Sequence, residues 1–331
     1  MPLYDYNRSP LLLDAQKVYR RYSVFSQLLL FIIVYYVGNL LAGIPTFLYL
    51  LFAMVPHFSE ISVALKNGDL NAYSQLLISL SENTNYILCT LFSTAIVLIT
   101  AILFCRFIEK RSLASMGFKK EKAVPLYLIG LPAGILLFAA SVGIACLNGS
   151  VTVTRAETVS VPMILLFFLA FLIQGASEEI LLRGYFMMSL SITRGPLFAV
   201  AGNALLFALM HAANPGFGFL PFVNVFLFGL ILSLLMLRTN SIFLCLALHG
   251  AWNFAEGCLF GASVSGMGAL PSFFRVTSTA GMELTNGGTF GPEGGLAVTM
   301  VLILALILTI FLPSNRKVYG FDANYSERHK F

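Results

Sequence analysis

Charged and amide side chains stand in this chain where an apolar helical pattern should hold none: Glu178, Glu179, Arg183, His211, His249 and Asn253. Glu179 and Arg183 are i,i+4 with the acid first, the favourable order for a helical ion pair. Glu178 is rotated about 100° from Glu179 around a helix. It therefore points elsewhere, unpaired, on the face shared with Gln174. His249 and Asn253 share a face at i,i+4, as do Phe207 and His211. These groups could move protons, donate hydrogen bonds to developing charge or ligate a metal. Taken singly, each has an ordinary reading. The ion pair is structural, a membrane histidine is an interhelical hydrogen-bonding partner, and Phe207 is core. An unpaired carboxylate, two histidines and an amide together are hard to explain as packing. No serine or cysteine is placed as a nucleophile, since Ser177 adjoins Glu178 but points off its face.

The elements that must position these groups are membrane helices. The chain has 331 residues, of which 58% are hydrophobic and 11% charged, and its mean hydropathy is +0.86. Soluble domains carry about a quarter charged residues, so this chain lacks the polar surface of a water-soluble globule. A span needs about 20 mostly apolar residues. Eight candidates are expected: about 24–55, 86–107, 124–147, 161–190, 196–212, 218–237, 241–260 and 295–313. Gly43 and Pro45 mark a break in the first, and Leu65 to Leu80 is expected as an amphipathic surface helix. The fold class is thus an all-α integral membrane protein of about eight transmembrane helices with a buried Glu/His/His/Asn site.

Loop charges orient the spans. The N-terminal tail carries Arg8, Lys17, Arg20 and Arg21; the 106–122 loop carries Arg106, Lys110, Arg111, Lys119, Lys120 and Lys122; the C-terminal tail carries Arg316, Lys317, Arg328 and Lys330. Alternate loops are poor in basic residues, so the positive-inside rule places both ends in the cytoplasm. The expected organisation is a cytoplasmic basic tail at 1–23, one membrane domain at 24–313 and a second basic tail at 314–331. The formal charge of +5 is a topology signal and not a nucleic-acid footprint. No signal peptide is read at the start, and the five cysteines read as apolar packing residues. The 261–294 loop is rich in Gly, Ser and Thr and is expected outside, as a lid. Counting about 1.5 Å per residue from the cytoplasmic turns puts Glu178 about 21 Å, His211 about 28 Å, His249 about 14 Å and Asn253 about 20 Å along their helices. They fall in one band of the membrane.

At these residues the sequence resembles a known family. Glu178 to Arg183 fits EExxxR, Phe207 to His211 fits FxxxH, and His249 to Asn253 fits HxxxN. All three occur in order over about 160–255 in the CPBP group, the CaaX-type prenyl-protein endopeptidases and bacteriocin-processing or immunity proteins, also called Abi. The segment Arg111 to Phe118 also resembles the basic stretch that often precedes the core in bacterial members. The resemblance implies an eight-helix membrane peptidase. Glu178 and His211 would activate water, His249 and Asn253 would stabilise the oxyanion, and Glu179, Arg183 and Phe207 would support them. Direct water activation without a cofactor is favoured. The alternative is Zn2+ held by Glu178, His211 and His249, although no HExxH is present.

The expected activity is hydrolysis of a peptide bond near or within the bilayer. The expected partners are a membrane-associated or lipidated peptide or protein substrate and the lipid bilayer, with no nucleic acid. The basic tails and compact turns point to a bacterial cytoplasmic membrane and to a peptide precursor as substrate. Two other classes stay open at this point. One is a non-catalytic immunity or scaffold protein, which would not need the acid, histidine and amide set. The other is a proton-coupled transporter, for which repeated halves would be expected and none is seen.

Overall fold

The computed structural model describes residues 9–17, 22–266, 268 and 270–311. The tail cations Arg8, Arg20, Arg21, Arg316, Lys317, Arg328 and Lys330 lie outside the described residues. The protein is mostly helical. Among the described residues, five helical stretches are long and apolar enough to cross a membrane: Val24–Lys66, Thr84–Ile108, Ala123–Leu147, Val161–Arg194 and Phe219–Thr239. Two shorter apolar helices, Pro196–Met210 and Leu296–Phe311, accompany them. The chain is an integral membrane protein.

The first helix, α1 (Pro10–Ala15), buries Leu11, Leu12 and Ala15. Ser9 Oγ donates to Asn240 Oδ1 at 2.7 Å, and Lys119 pairs with Asp14 at 2.9 Å. Part of the basic tail expected at 1–23 is therefore docked onto the body. Helix α2 (Val24–Met54) runs unbroken through Gly43 and Pro45, so the break expected there is absent. Thr46 Oγ1 donates to Gly43 O at 2.9 Å beside the proline. Phe25, Leu40 and Phe52 on its outer face are largely exposed, as suits a helix surrounded by lipid.

Two short helices follow, α3 (Phe58–Lys66) and α4 (Leu70–Ser81). Asp69 caps α4 by accepting from Ala72 N at 2.9 Å. The expected surface helix is thus α4, with its start set by that cap. Next come α5 (Thr84–Leu103), ending in a π-turn, and α6 (Ala123–Leu147).

The expectation of an all-α protein is corrected by a small sheet. Strands β1 (Val151–Arg155) and β2 (Phe274–Ser278) pair antiparallel, with Val151 opposite Ser278 and Arg155 opposite Phe274. The run Val-Thr-Val-Thr alternates β-branched residues, which favour extended backbone. The sheet ties the 261–294 loop down, and this loop also holds α12 (Glu283–Asn286).

The centre of the molecule is built from α7 (Val161–Glu179), α8 (Met188–Arg194), α9 (Pro196–Met210), α10 (Phe219–Thr239), α11 (Phe243–Phe254) and α13 (Leu296–Phe311). A π-turn at Ile180–Met187 joins α7 to α8, and another at Ala255–Leu259 extends α11. Glycines allow α11 to lie against its neighbours at backbone distance, the way small residues pack membrane helices. A Cβ on Gly175 of α7 would sit 2.7 Å from Gly250 N, and one on Gly250 would sit 2.8 Å from Phe171 O. On the opposite side, Gly134 of α6 leaves no room for a Cβ against Leu248 O. Helix α11 is clamped between α6 and α7, which fixes the register of His249 against Glu178 and Glu179.

Arg111, read from the sequence as one of the loop cations, is buried. Its guanidinium donates to Glu109 Oε2 at 2.9 Å, Ser189 Oγ at 2.6 Å, Gly184 O at 2.8 Å and Tyr185 O at 3.1 Å. The last two carbonyls belong to the π-turn that follows Glu179. A charge that looked topological thus braces the segment carrying Arg183.

Candidate functional site

The site begins at the end of α7. Glu179 and Arg183 are both fully buried and pair at 2.7 Å, as their spacing predicts. The Arg183 guanidinium carbon lies 4.5 Å above the Phe207 ring, a favourable place for a cation against an aromatic face. With its amide turned to satisfy its neighbours, Asn203 accepts from Arg183 Nε at 3.2 Å and donates to Leu182 O at 2.9 Å. The ion pair is not self-contained, however. The Glu179 oxygen that holds Arg183 also faces His249 Nδ1 at 2.8 Å. Glu179 therefore orients the histidine, and its role exceeds the structural one expected of an isolated pair.

His249 is almost fully buried. With Nδ1 engaged by Glu179, its Nε2 points towards Glu178 Oε2, 3.8 Å away. Aromatic rings hold the imidazole edge-on, with Phe228 at 5.4 Å and Phe207 at 5.9 Å between centroids. Glu178 has no Lys or Arg partner among the described residues, but besides His249 it has others. Gln174 Nε2 donates to Glu178 Oε1 at 2.6 Å, and Asn253 Nδ2 donates to Gln174 Oε1 at 2.8 Å. One relay thus joins Asn253, Gln174 and Glu178 across α11 and α7. Gln174 was legible only as a neighbour on the Glu178 face.

His211 caps the end of α9, where the chain turns through Asn214, Pro215 and Gly216. Its Nδ1 lies 2.8 Å from Phe207 O. A carbonyl only accepts, so Nδ1 carries the proton and the Nε2 lone pair is left free. Phe207 stacks edge-on against His211 at 4.7 Å. This phenylalanine therefore touches His211, His249 and Arg183. Ser177 donates to Gln174 O at 2.8 Å and faces away from the other groups.

Glu178, His211, His249 and Asn253 all line one cavity of about 270 Å³. Its remaining walls include Phe228 and Trp252 and, from the 261–294 loop, Ser265 and Glu293. The arrangement presents a carboxylate, a histidine lone pair, a second imidazole and an amide to one cavity. That set can remove a proton from water and donate hydrogen bonds to an oxygen that gains charge. Glu178 and His211 share the cavity without a direct hydrogen bond, and the nearest imidazole to Glu178 is that of His249.

Among the described residues, no group of three or more His, Cys, Asp and Glu side chains is arranged to hold a metal ion. The sequence-derived zinc set Glu178, His211 and His249 does not fit one as placed.

Two acids escaped the sequence reading. Glu256 is fully buried in the π-turn after α11, although a glutamate inside an apolar run was a visible signal. Glu293 accepts from Trp252 Nε1 at 2.7 Å and Ser265 Oγ at 2.6 Å. It lies in a Gly-rich loop, and no local pattern marks it as part of the cavity.

The class defined by these features is a multi-pass membrane protein with an acid–histidine cavity among its helices. Residues 160–255 match the Rce1-like family, described as type II CAAX prenyl endopeptidase Rce1-like. That stretch holds Glu178, Glu179, Arg183, Phe207, His211, His249 and Asn253. No curated protein matches the chain.

Proposed function

We propose that the protein is an intramembrane endopeptidase that hydrolyses a peptide bond of a membrane-associated or lipidated peptide or protein. The observation that carries this reading is the convergence of Glu178, His211, His249 and Asn253 on one cavity. The Rce1-like match over the same residues supports it.

In the proposed reaction, a water bound between Glu178 and His211 gives up a proton to one of them. The resulting hydroxide attacks the peptide carbonyl carbon. His249 and Asn253 donate to the carbonyl oxygen as it becomes an oxyanion. The C–N bond then breaks, and the stored proton passes to the leaving amine. Glu179 holds His249 in place, and the two flanking glutamates would ion-pair an imidazolium there on both sides. Asn253 Nδ2 gives one hydrogen to Gln174 and retains a second for the substrate. These steps use the proton chemistry of the residues themselves and no metal.

The proposed setting is a bacterial cytoplasmic membrane, crossed eight times with both termini in the cytoplasm. The five long helices supply most spans, with α9, α11 and its π-turn, and α13 supplying the rest. The alternation of basic loops supports this orientation. The proposed membrane domain is 24–313.

The test is cleavage of a membrane-peptide library by purified protein. Glu178→Gln and His211→Ala, at equal folding, should each lose about 10²–10⁴-fold in kcat. Cleavage at wild-type rate by both variants would contradict the roles assigned.

A further inference from the structure

Glu293 lies outside the family-matched stretch, yet it reaches the cavity from a loop more than thirty residues beyond Asn253. Its carboxylate accepts the indole N–H of Trp252 at 2.7 Å. Trp252 is 1% exposed, so its N–H has no water and needs a protein acceptor. The tryptophan sits in α11 between His249 and Asn253, immediately before the amide. Its ring packs on Phe228 at 5.1 Å, and Phe228 packs on His249 at 5.4 Å. Rotation of the indole, one residue before the amide of Asn253, would therefore disturb the ring that supports the histidine.

Glu293 is itself held from several sides. Ser265 Oγ donates to Oε2 at 2.6 Å. Asn224 of α10 donates to Glu293 O at 2.7 Å, and Thr299 of α13 donates to Asn224 Oδ1 at 2.7 Å. Behind it stands Glu256, fully buried, with its carboxyl facing Glu293. The anchor is thus built from α10, α13, the loop and the extension of α11, and it presents one acceptor to one indole.

We propose that Glu293 is a positioning residue: by holding the Trp252 indole it fixes the α11 wall of the cavity that carries His249 and Asn253. The kinetic part of this inference rests on the peptidase reading; the structural part does not.

Trp252 is the sole tryptophan of the chain, so a ¹⁵N-tryptophan sample in detergent gives one indole N–H signal. Glu293→Ala should shift that signal and should also shift the ring resonances of His249, identified by their loss in His249→Gln. Glu293→Gln, whose amide oxygen can still accept from the indole, should restore both. In cleavage, Glu293→Ala should lower kcat about 10–100-fold, the scale of a misplacement near 1 Å. KM should stay within about threefold and Glu293→Gln should recover the rate. Should Glu293→Ala fail to fold, Trp252→Phe keeps the ring and removes the N–H, and it should show the same kcat loss and His249 shift. An indole or His249 signal unmoved by Glu293→Ala would overturn the proposal, as would an unchanged kcat in an active enzyme. Responsive signals in a protein whose wild type cleaves nothing would support the positioning role and count against the peptidase reading alone.

Discussion

His249 Nδ1 and Glu179 Oε1 lie 2.8 Å apart, and the same oxygen takes the Arg183 guanidinium at 2.7 Å. One carboxylate oxygen thus orients the histidine of α11 and neutralises the arginine after α7. Removing it strands a buried cation. Glu179→Ala should therefore cost about 3–5 kcal/mol of stability, measured by unfolding in detergent. Glu179→Gln, which keeps an acceptor, should cost less. Equal stability of Glu179→Ala and wild type would show that Arg183 finds another partner.

The contact between α7 and α11 depends on the absence of side chains at Gly175 and Gly250. A Cβ at Gly175 would meet Gly250 N at 2.7 Å and Gly250 Cα at 2.9 Å, and backbone cannot swing aside as a side chain can. Gly175→Val should push the helices apart, destabilise the protein by at least about 1–3 kcal/mol and lengthen the separation of Glu178 from His249. Activity should fall more steeply than stability. A valine variant with full activity would mean that the two helices can separate without disturbing the site.

The docked N-terminal helix predicts an acid sensitivity away from the site. Burial raises the Asp14 pKa, but hydrogen bonds and charges from Lys119 and Lys17 outweigh it and hold the carboxyl below its ordinary value. A depressed folded-state value stabilises the docked form above the ordinary carboxylate pKa. That contribution is lost as pH falls through the lowered value. Protease protection of residues 9–17 should weaken in acid in the wild type. In Asp14→Asn it should already be weaker at neutral pH and flatter with pH. Identical profiles for the two proteins would remove the ion pair as the cause.

Arg111 and Glu109 pair at 2.9 Å with both side chains buried. Arg111→Met should leave Glu109 without its cation and the Gly184 and Tyr185 carbonyls without their donor. The expected loss is about 3–5 kcal/mol, with the double change Glu109→Gln, Arg111→Met recovering part of it. No recovery in the double variant would place the cost in the carbonyl contacts instead.

Much of this site could be read from residue types and spacing. Local helical geometry sets the Glu179–Arg183 pair and turns Glu178 away from it, and the apolar background makes His211 and His249 conspicuous. Relations between distant helices could not be read that way. The Asn253–Gln174 relay and the Glu179–His249 bond exist because glycine pairs set the distance and register of α7 and α11. The role of Arg111 was masked because a loop cation and a buried cation look alike in sequence. Glu256 carried a signal, an acid in an apolar run, that was overlooked. Glu293 carried none, because its partners are 69 residues away in α10 and 41 away in α11. The small sheet has a local signal in its alternating Val-Thr run, which the all-α expectation missed, and its pairing with residues beyond 270 has none.

The most direct test of a Glu178-centred peptidase is cleavage of a membrane-peptide library by chelator-treated protein, beside Glu178→Gln at equal folding. Cleavage that survives chelation and disappears in the variant is the predicted result. Cleavage lost on chelation and restored by zinc, or retained by Glu178→Gln, would contradict it.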